Sequence, residues 1–451
     1  MPGATTKDIH VAIVGAGIAG ITLGLGLRDR NVPFTIYERA PGFRDIGAGI
    51  GFSPNAEKAM EYLSKGVLKA FKRVANPNGE DYFQWVDGHS PQGELMYKKF
   101  VGKDGFQGCK RSDILEAWAS LLPPGSVEFE KELDGIEEKQ DGALVRFKDG
   151  SEVNATVVVG CDGIRSQVRH YVLGSTAKNP VKAAYPGYTQ KFCYRSLVPM
   201  DQAIKAIGEY KASTRFMYNG PDAHIITYPV GNNSVLNVLV VISDSNKEWP
   251  KDLVAQGRHT CQGSKKEVID AFKGWNETAR NIANLFPEEM EKWAIFDMAE
   301  NPASTFVRGR VCIAGDAAHA TGPHLGAGGG LGIEDAYFLA TLLSQLNDTL
   351  KARALPAKDE GEIVRAALHR YNDARFERTQ WVVQATREAV DLFQWQDQRV
   401  GNDKAKFGEE ISAKFEKIWT YDVVGENKKA AGGFLRDMGA DSGSSDALER
   451  M

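Results

Sequence analysis

The sequence lacks any long hydrophobic run: its most apolar stretch, Val235 to Ile242, is interrupted by Asn237 and is far too short to cross a bilayer. Positive charge is not in excess either. Lys and Arg number 55 against 59 Asp and Glu, a formal net charge of −4, which argues against a basic nucleic-acid footprint. Cysteine is scarce, and Cys109, Cys161, Cys193, Cys261 and Cys312 form no C-x-x-C pair. An odd, scattered set fits reduced thiols in a cytoplasmic setting better than a disulfide framework or a zinc site. The first residues lack the basic-then-apolar layout of a signal peptide. There is no repeat of fixed period, no metal-ligand spacing among the histidines, and no second complete G-x-G-x-x-G. A length of 451 residues suggests two or three domain-sized units.

What is present starts at Val11-Ala-Ile-Val-Gly15-Ala-Gly17-Ile-Ala-Gly20, an apolar run followed at once by glycines. A helix-like segment continues to about Arg30, and Phe34-Thr-Ile-Tyr-Glu38 reads as the second strand of a βαβ unit. Gly15 permits a tight turn, Gly17 lets backbone N–H groups approach a pyrophosphate, and Gly20 lets helix and strand pack closely. Phosphates then meet the helix N-terminus, where unpaired N–H groups and the helix dipole favour anions. Glu38 falls where a carboxylate accepts from a ribose 2′-OH. The motif predicts an adenine dinucleotide.

Further along, Arg44–Phe52 is too glycine-rich for an ordinary element, and Pro54–Leu63 reads as a short helix. Tyr82–Val86 and Leu95–Phe100 read as strands, and 112–122 as a helix. Short strands are expected at 127–130, 135–139, 143–147 and 155–159, the last returning to the parallel sheet. Residues 181–300 turn β-rich. Arg310-Val-Cys-Ile-Ala-Gly315-Asp316 is a strand ending in Gly-Asp, and long helical patterns follow over 332–346 and about 362–395. The expected class is α/β, a Rossmann-like domain interleaved with a smaller β-rich domain and closed by a C-terminal helical segment. Its parts are 1–180 (with 80–100 joining the β-rich unit), 181–300, 301–350, helices over 351–425, and a poorly ordered tail over 426–451.

Three pieces appear in order: Gly15-x-Gly17-x-x-Gly20 with Glu38, then Gly160-Cys-Asp162-Gly163-Ile-Arg165-Ser166, then Gly315-Asp316-Ala-Ala-His319. Together they resemble the group A flavoprotein monooxygenases, single-component aromatic hydroxylases related to salicylate and p-hydroxybenzoate hydroxylases. The resemblance covers roughly residues 8–395 and is nearest to fungal hydroxylases and dearomatases of phenolic polyketides. It implies FAD, with NADPH or NADH as a transient co-substrate. It implies that Glu38 binds the adenosine ribose, Arg111 the pyrophosphate and ribityl chain, and Asp316 a ribityl hydroxyl. Gly51 and Gly329 would approach the cofactor through their backbone. Asp162-Gly163 would touch the FAD region and help bind NAD(P)H. The family's Gly-Gln-Gly is here Gly326-Ala-Gly328, which keeps the backbone donors that face the flavin ring.

The resemblance also makes Arg195 and Tyr228 the catalytic candidates, a fixed cation for a phenolate and a hydroxyl for the ring's other oxygen. On residues alone, Asp316 also reads as an N-cap, Asp162 as a turn residue and Arg111 as a surface arginine. Arg195 also reads as half of an ion pair, and Tyr228 as a sheet aromatic. His319 reads as structural, and Trp381, Phe393 and Trp395 as packing residues. The implied reaction hydroxylates a small phenolic substrate with O₂ through a flavin C4a-hydroperoxide, in a monomer or homodimer. Oxidative dearomatisation and indole epoxidation use the same chemistry. A plain NAD-dependent dehydrogenase leaves Asp162-Gly163 and Gly315-Asp316 unexplained, and a non-catalytic nucleotide-binding protein is the remaining alternative.

Overall fold

In the computed structural model, Val11–Val14 is the strand about which the first sheet is built. It runs parallel to Phe34–Tyr37 on one side and to Val157–Gly160 on the other. All four residues are buried, as a strand covered on both faces requires. The structure describes residues 8–43, 49–79, 81–103, 105–176, 178–352 and 357–439. The six strands lie in the order 307–308, 311–313, 157–160, 11–14, 34–37, 127–128. The helix Ile18–Asp29 packs its buried Ile21, Leu23, Leu25 and Leu27 into the same core.

The expected strand 155–159 is in fact two. Glu152–Ala155 pairs antiparallel with Gly142–Phe147, whereas Val157–Gly160 joins the parallel sheet. The break is at Thr156, whose N–H donates to the His10 carbonyl while its hydroxyl accepts from the His10 N–H.

A second, eight-stranded sheet has the order 260–264, 289–297, 187–199, 235–243, 223–230, 215–220, 82–87, 95–100. The two strands read at 82–86 and 95–100 form its far edge. Alternation splits its side chains cleanly. Phe216 and Tyr218 face a core built with Val268, Phe272 and Ile282 from the outer helices, while Met217 faces Val382, Phe407 and Ile411.

Four helices end the described part of the chain: Gly328–Ala352, Ala357–Phe393, Lys404–Trp419 and Val423–Asp437. The last corrects the expectation of a disordered tail from 426. Asn427, Ala430, Ala431 and Phe434 form a buried stripe, and Arg370 grips Asp437 with two bonds of 2.7 and 2.6 Å. Residues 440–451 lie outside the described part, as do 44–48 of the glycine-rich stretch.

Candidate active site

One cavity of about 410 Å³ opens between the two sheets. On the first sheet's side it is lined by Gly17, Gly51, Arg111, Gly163, Asp316 and Gly329. Gly17 caps the helix Ile18–Asp29 in an extended conformation, with no side-chain cap among the described residues. A Cβ added at Gly17 would meet nothing within 4 Å, so the loop leaves room for a ligand at that helix end. Gly15 and Gly20 are fixed by the fold instead. Gly15 has φ +106°, and a Cβ there would lie 2.4 Å from the Cys161 carbonyl oxygen; at Gly20 it would lie 2.0 Å from the Gly15 carbonyl oxygen.

Glu38 stands just behind the loop, its carboxylate accepting from the N–H of Ala16 at 2.8 Å and of Ala40 at 2.9 Å. Each oxygen keeps a further acceptor site. Asp316 is exposed to the cavity, and desolvation by the protein around it raises its pKa against the opposing pull of His319 and Arg111. Asp162 is not among the lining residues. Its Oδ2 accepts from the N–H of Gln167 (2.7 Å) and Val168 (3.2 Å), and Oδ1 is buried without a partner among the described residues. Its neighbour Gly163, at φ +79°, does line the cavity.

The second sheet supplies the floor. Arg195 stands opposite Leu239, Leu239 opposite Ile226, and Ile226 opposite Met217. Two residues along, on the same face, Asn237 pairs with Tyr228 and Arg215 with Phe83. Arg195 and Tyr228 are therefore two strands and two residues apart, about 12 Å between backbones, which leaves room for an aromatic ring between their side chains. Among the described residues Arg195 has no carboxylate partner. Its Nε is buried without a hydrogen bond, and its guanidinium lies 5.9 Å from the Trp293 ring. Burial raises the Tyr228 pKa, the nearby Arg195 only partly offsetting it, so the hydroxyl stays protonated.

The sequence matches the family described as FAD binding domain over residues 8–386. The chain belongs to this family. An FAD-dependent monooxygenase of Aspergillus niger, orf3, is 46% identical over 434 residues, spanning 93% of this chain and 95% of that protein. A salicylate hydroxylase of Sarocladium schorii, asL1, is 39% identical over 94% of this chain and 90% of its own length. A solved salicylate hydroxylase substrate complex has a TM-score of 0.81 at 29% identity, covering 94% of this chain and 98% of that one. CtdE in complex with FAD and a substrate shares the fold, with a TM-score of 0.75 at 19% identity over 96% of this chain and all of that one. This flavoprotein is thus a monooxygenase whose cofactor is FAD, and the open Gly17 loop and the cavity-facing Asp316 suit that dinucleotide.

Several groups around the cavity escape sequence reasoning. Arg215, 4% exposed, lines the cavity with its charge met by Asp81 and Asn78. Phe415 and Trp419, one turn apart on Lys404–Trp419, close the apolar end; their spacing was the available signal. The Gly315-Asp316 turn is held from behind. Asp335 accepts from the Gly315 N–H at 2.9 Å, from His319 at 2.5 Å and from Arg375 at 2.8 Å. His319 is fully buried and does not line the cavity, which fits the structural reading.

Proposed function

We propose that this monooxygenase hydroxylates a phenolic aromatic substrate with O₂, using NADPH or NADH as reductant, in fungal secondary metabolism and in the cytoplasm. The observation that carries the reading is that Arg195 and Tyr228 line the same cavity as Gly17, Arg111, Asp316 and Gly329. The oxygen-binding pair and the cofactor seat then share one chamber. In this reading Gly17 and Arg111 hold the pyrophosphate, Glu38 and Asp316 the two polyol ends, and Gly51 and Gly329 let the backbone approach the ring. Asp162 shapes the turn that brings Gly163 to the cavity. When bound, FAD supplies the activation of O₂ that puts one oxygen atom on the substrate and the other in water.

The chain's own part is electrostatic and steric. The Arg195 guanidinium favours the substrate as phenolate, the electron-rich form. Tyr228 orients the ring by a hydrogen bond from its hydroxyl. Phe83, Met217, Ile226, Leu239, Phe415 and Trp419 keep water from the reacting face. The N-terminus of Gly328–Ala352 presents backbone donors to the cavity, where they favour negative charge.

The test is phenol-stimulated oxidation of NADPH and NADH by the FAD-loaded protein, with products identified by mass spectrometry. Arg195→Ala should keep its flavin spectrum and lose product by about 100-fold or more, the scale of losing one preorganised charge. Normal turnover by that variant would remove Arg195 from the reaction. Tyr228→Phe should keep turnover but release more peroxide per reductant consumed, and an unchanged ratio would refute its orienting role.

A further inference from the structure

Asn237 lies on Val235–Ser243 directly across from Tyr228. It is 4% exposed and lines the cavity. The Gly49 N–H donates to its Oδ1 at 3.0 Å. A backbone N–H can only donate, so this bond assigns the amide: the oxygen meets Gly49 and the NH₂ is left over. Among the described residues nothing accepts from that Nδ2, the Gly49 bond being the side chain's one hydrogen bond. That nitrogen is not among the enclosed unpaired atoms, so it is open to the cavity and to an acceptor bound there.

The Tyr228 hydroxyl is its neighbour. A Cβ added at Gly49 would lie 2.7 Å from Asn237 Oδ1 and 2.9 Å from the Tyr228 oxygen, so amide and hydroxyl crowd one point of the wall. The hydroxyl donates from that point, and Nδ2, carried on the same amide carbon as Oδ1, is a second donor beside it. Arg195 stands apart, two residues along and one strand beyond Asn237.

We propose that Asn237 is a substrate-binding residue, its Nδ2 donating beside the Tyr228 hydroxyl to an acceptor oxygen on the aromatic substrate while Arg195 takes a second oxygen. This rests on the phenol-hydroxylating reading of the cavity. It narrows the substrate to an arene with two oxygen substituents, of which the one at Asn237 is a carbonyl or a phenolate. A site built to hydrogen-bond a particular oxygen rejects analogues that lack it far more strongly than an apolar pocket rejects a missing methylene.

Asn237→Asp tests this, because it keeps an oxygen for the Gly49 N–H and replaces the donor with an acceptor. Binding of 2,4-dihydroxybenzaldehyde, resorcinol and phenol is measured on the FAD-loaded protein by perturbation of flavin absorbance and by equilibrium dialysis. The expected result is intact flavin content and about tenfold weaker binding of the aldehyde relative to phenol, the scale of one hydrogen bond. Resorcinol follows phenol if the acceptor is a carbonyl and follows the aldehyde if it is a phenolate. Should the new carboxylate unsettle the fold, Asn237→Ala gives the same comparison. Unchanged binding, or equal weakening of all three probes, overturns the proposal and leaves Asn237 as a tether for Gly49. If the wild type binds none of the three, the phenol reading falls and takes this inference with it.

Discussion

Gly15 and Gly17 sit in one loop under opposite constraints. Gly15 is held at φ +106° against the Cys161 carbonyl, so a methyl group there meets backbone that cannot yield. Gly17 has φ −81° and open space where its Cβ would be. Gly15→Ala should therefore cost the flavin-free protein several kcal/mol, about 2–4. Gly17→Ala should leave the flavin-free melting temperature unchanged and weaken FAD about tenfold or more. Thermal unfolding of both stripped proteins, with flavin titration of Gly17→Ala, separates the two roles. Equal melting losses would show that the loop's shape, not its approach to a ligand, sets both glycines. The sequence motif already separates the two roles, a tight turn for Gly15 and ligand approach for Gly17, but it does not show the Cys161 carbonyl that holds Gly15 in place.

The helices Gly328–Ala352 and Ala357–Phe393 are joined by a buried ionic chain. Arg375 binds Glu334 at 2.7 Å and Asp335 at 2.8 Å, and all three side chains are fully buried. Asn55 adds a bond to Glu334 at 2.6 Å. Removing this shared cation leaves Glu334 to Arg378 and Asn55 and Asp335 to His319 and the Gly315 N–H, two buried carboxylates short of a positive partner, so Arg375→Met should cost about 3 kcal/mol in urea unfolding. The partly exposed Arg370–Asp437 pair makes the control: Arg370→Ala should cost less than about 1 kcal/mol. Comparable losses would mean that the buried chain adds nothing beyond surface pairing. Elements with strong end signals were legible. Pro54–Leu63 has the same bounds in sequence and structure, with Pro at the first turn and Ser53 before it. The helix read at 332–346 runs longer, over 328–352, because Gly328–Gly330 look like a turn. They are helical because a Cβ at Gly330 would lie 2.9 Å from Ala56, so the small residue lets two helices touch. Lys404–Trp419 falls inside the helical segment expected over 351–425, and its own bounds are marked by Asp403 bonding the first N–H groups and by Phe407, Ile411 and Phe415 at steps of four.

At the scale of the whole molecule, alternation showed which residues share a strand face but not which strands are neighbours. The strand bearing Arg195 pairs with 235–243 and 289–297, both distant in sequence, and only that order sets Asn237 beside Tyr228 within reach of Arg195. The same assembly buries His224 and His324 and half-buries His259. Burial, with Lys191 nearby, pushes His224 down to about 3, and burial with Arg165 pushes His259 to about 4. His324, enclosed beside His224, Lys191 and Arg387, is driven well below its ordinary value. An unfolded histidine titrates near 6.5, about where these three would if released. Below that pH the unfolded chain binds protons that the fold refuses, so stability rises with pH across this window and falls on acidification. Each histidine contributes a slope of about 1.4 kcal/mol per pH unit until its folded value is reached. That share ends near pH 4 for His259 and near pH 3 for His224. Unfolding free energy measured from pH 7.5 to pH 5 should therefore drop well before carboxylates begin to protonate. His224→Gln should make that slope shallower by about one histidine's share, about 1.4 kcal/mol per pH unit, while keeping an amide beside Gln394. A stability profile flat over this range, or an unchanged slope in the variant, would mean that the fold admits the proton and that His224 is not sealed in.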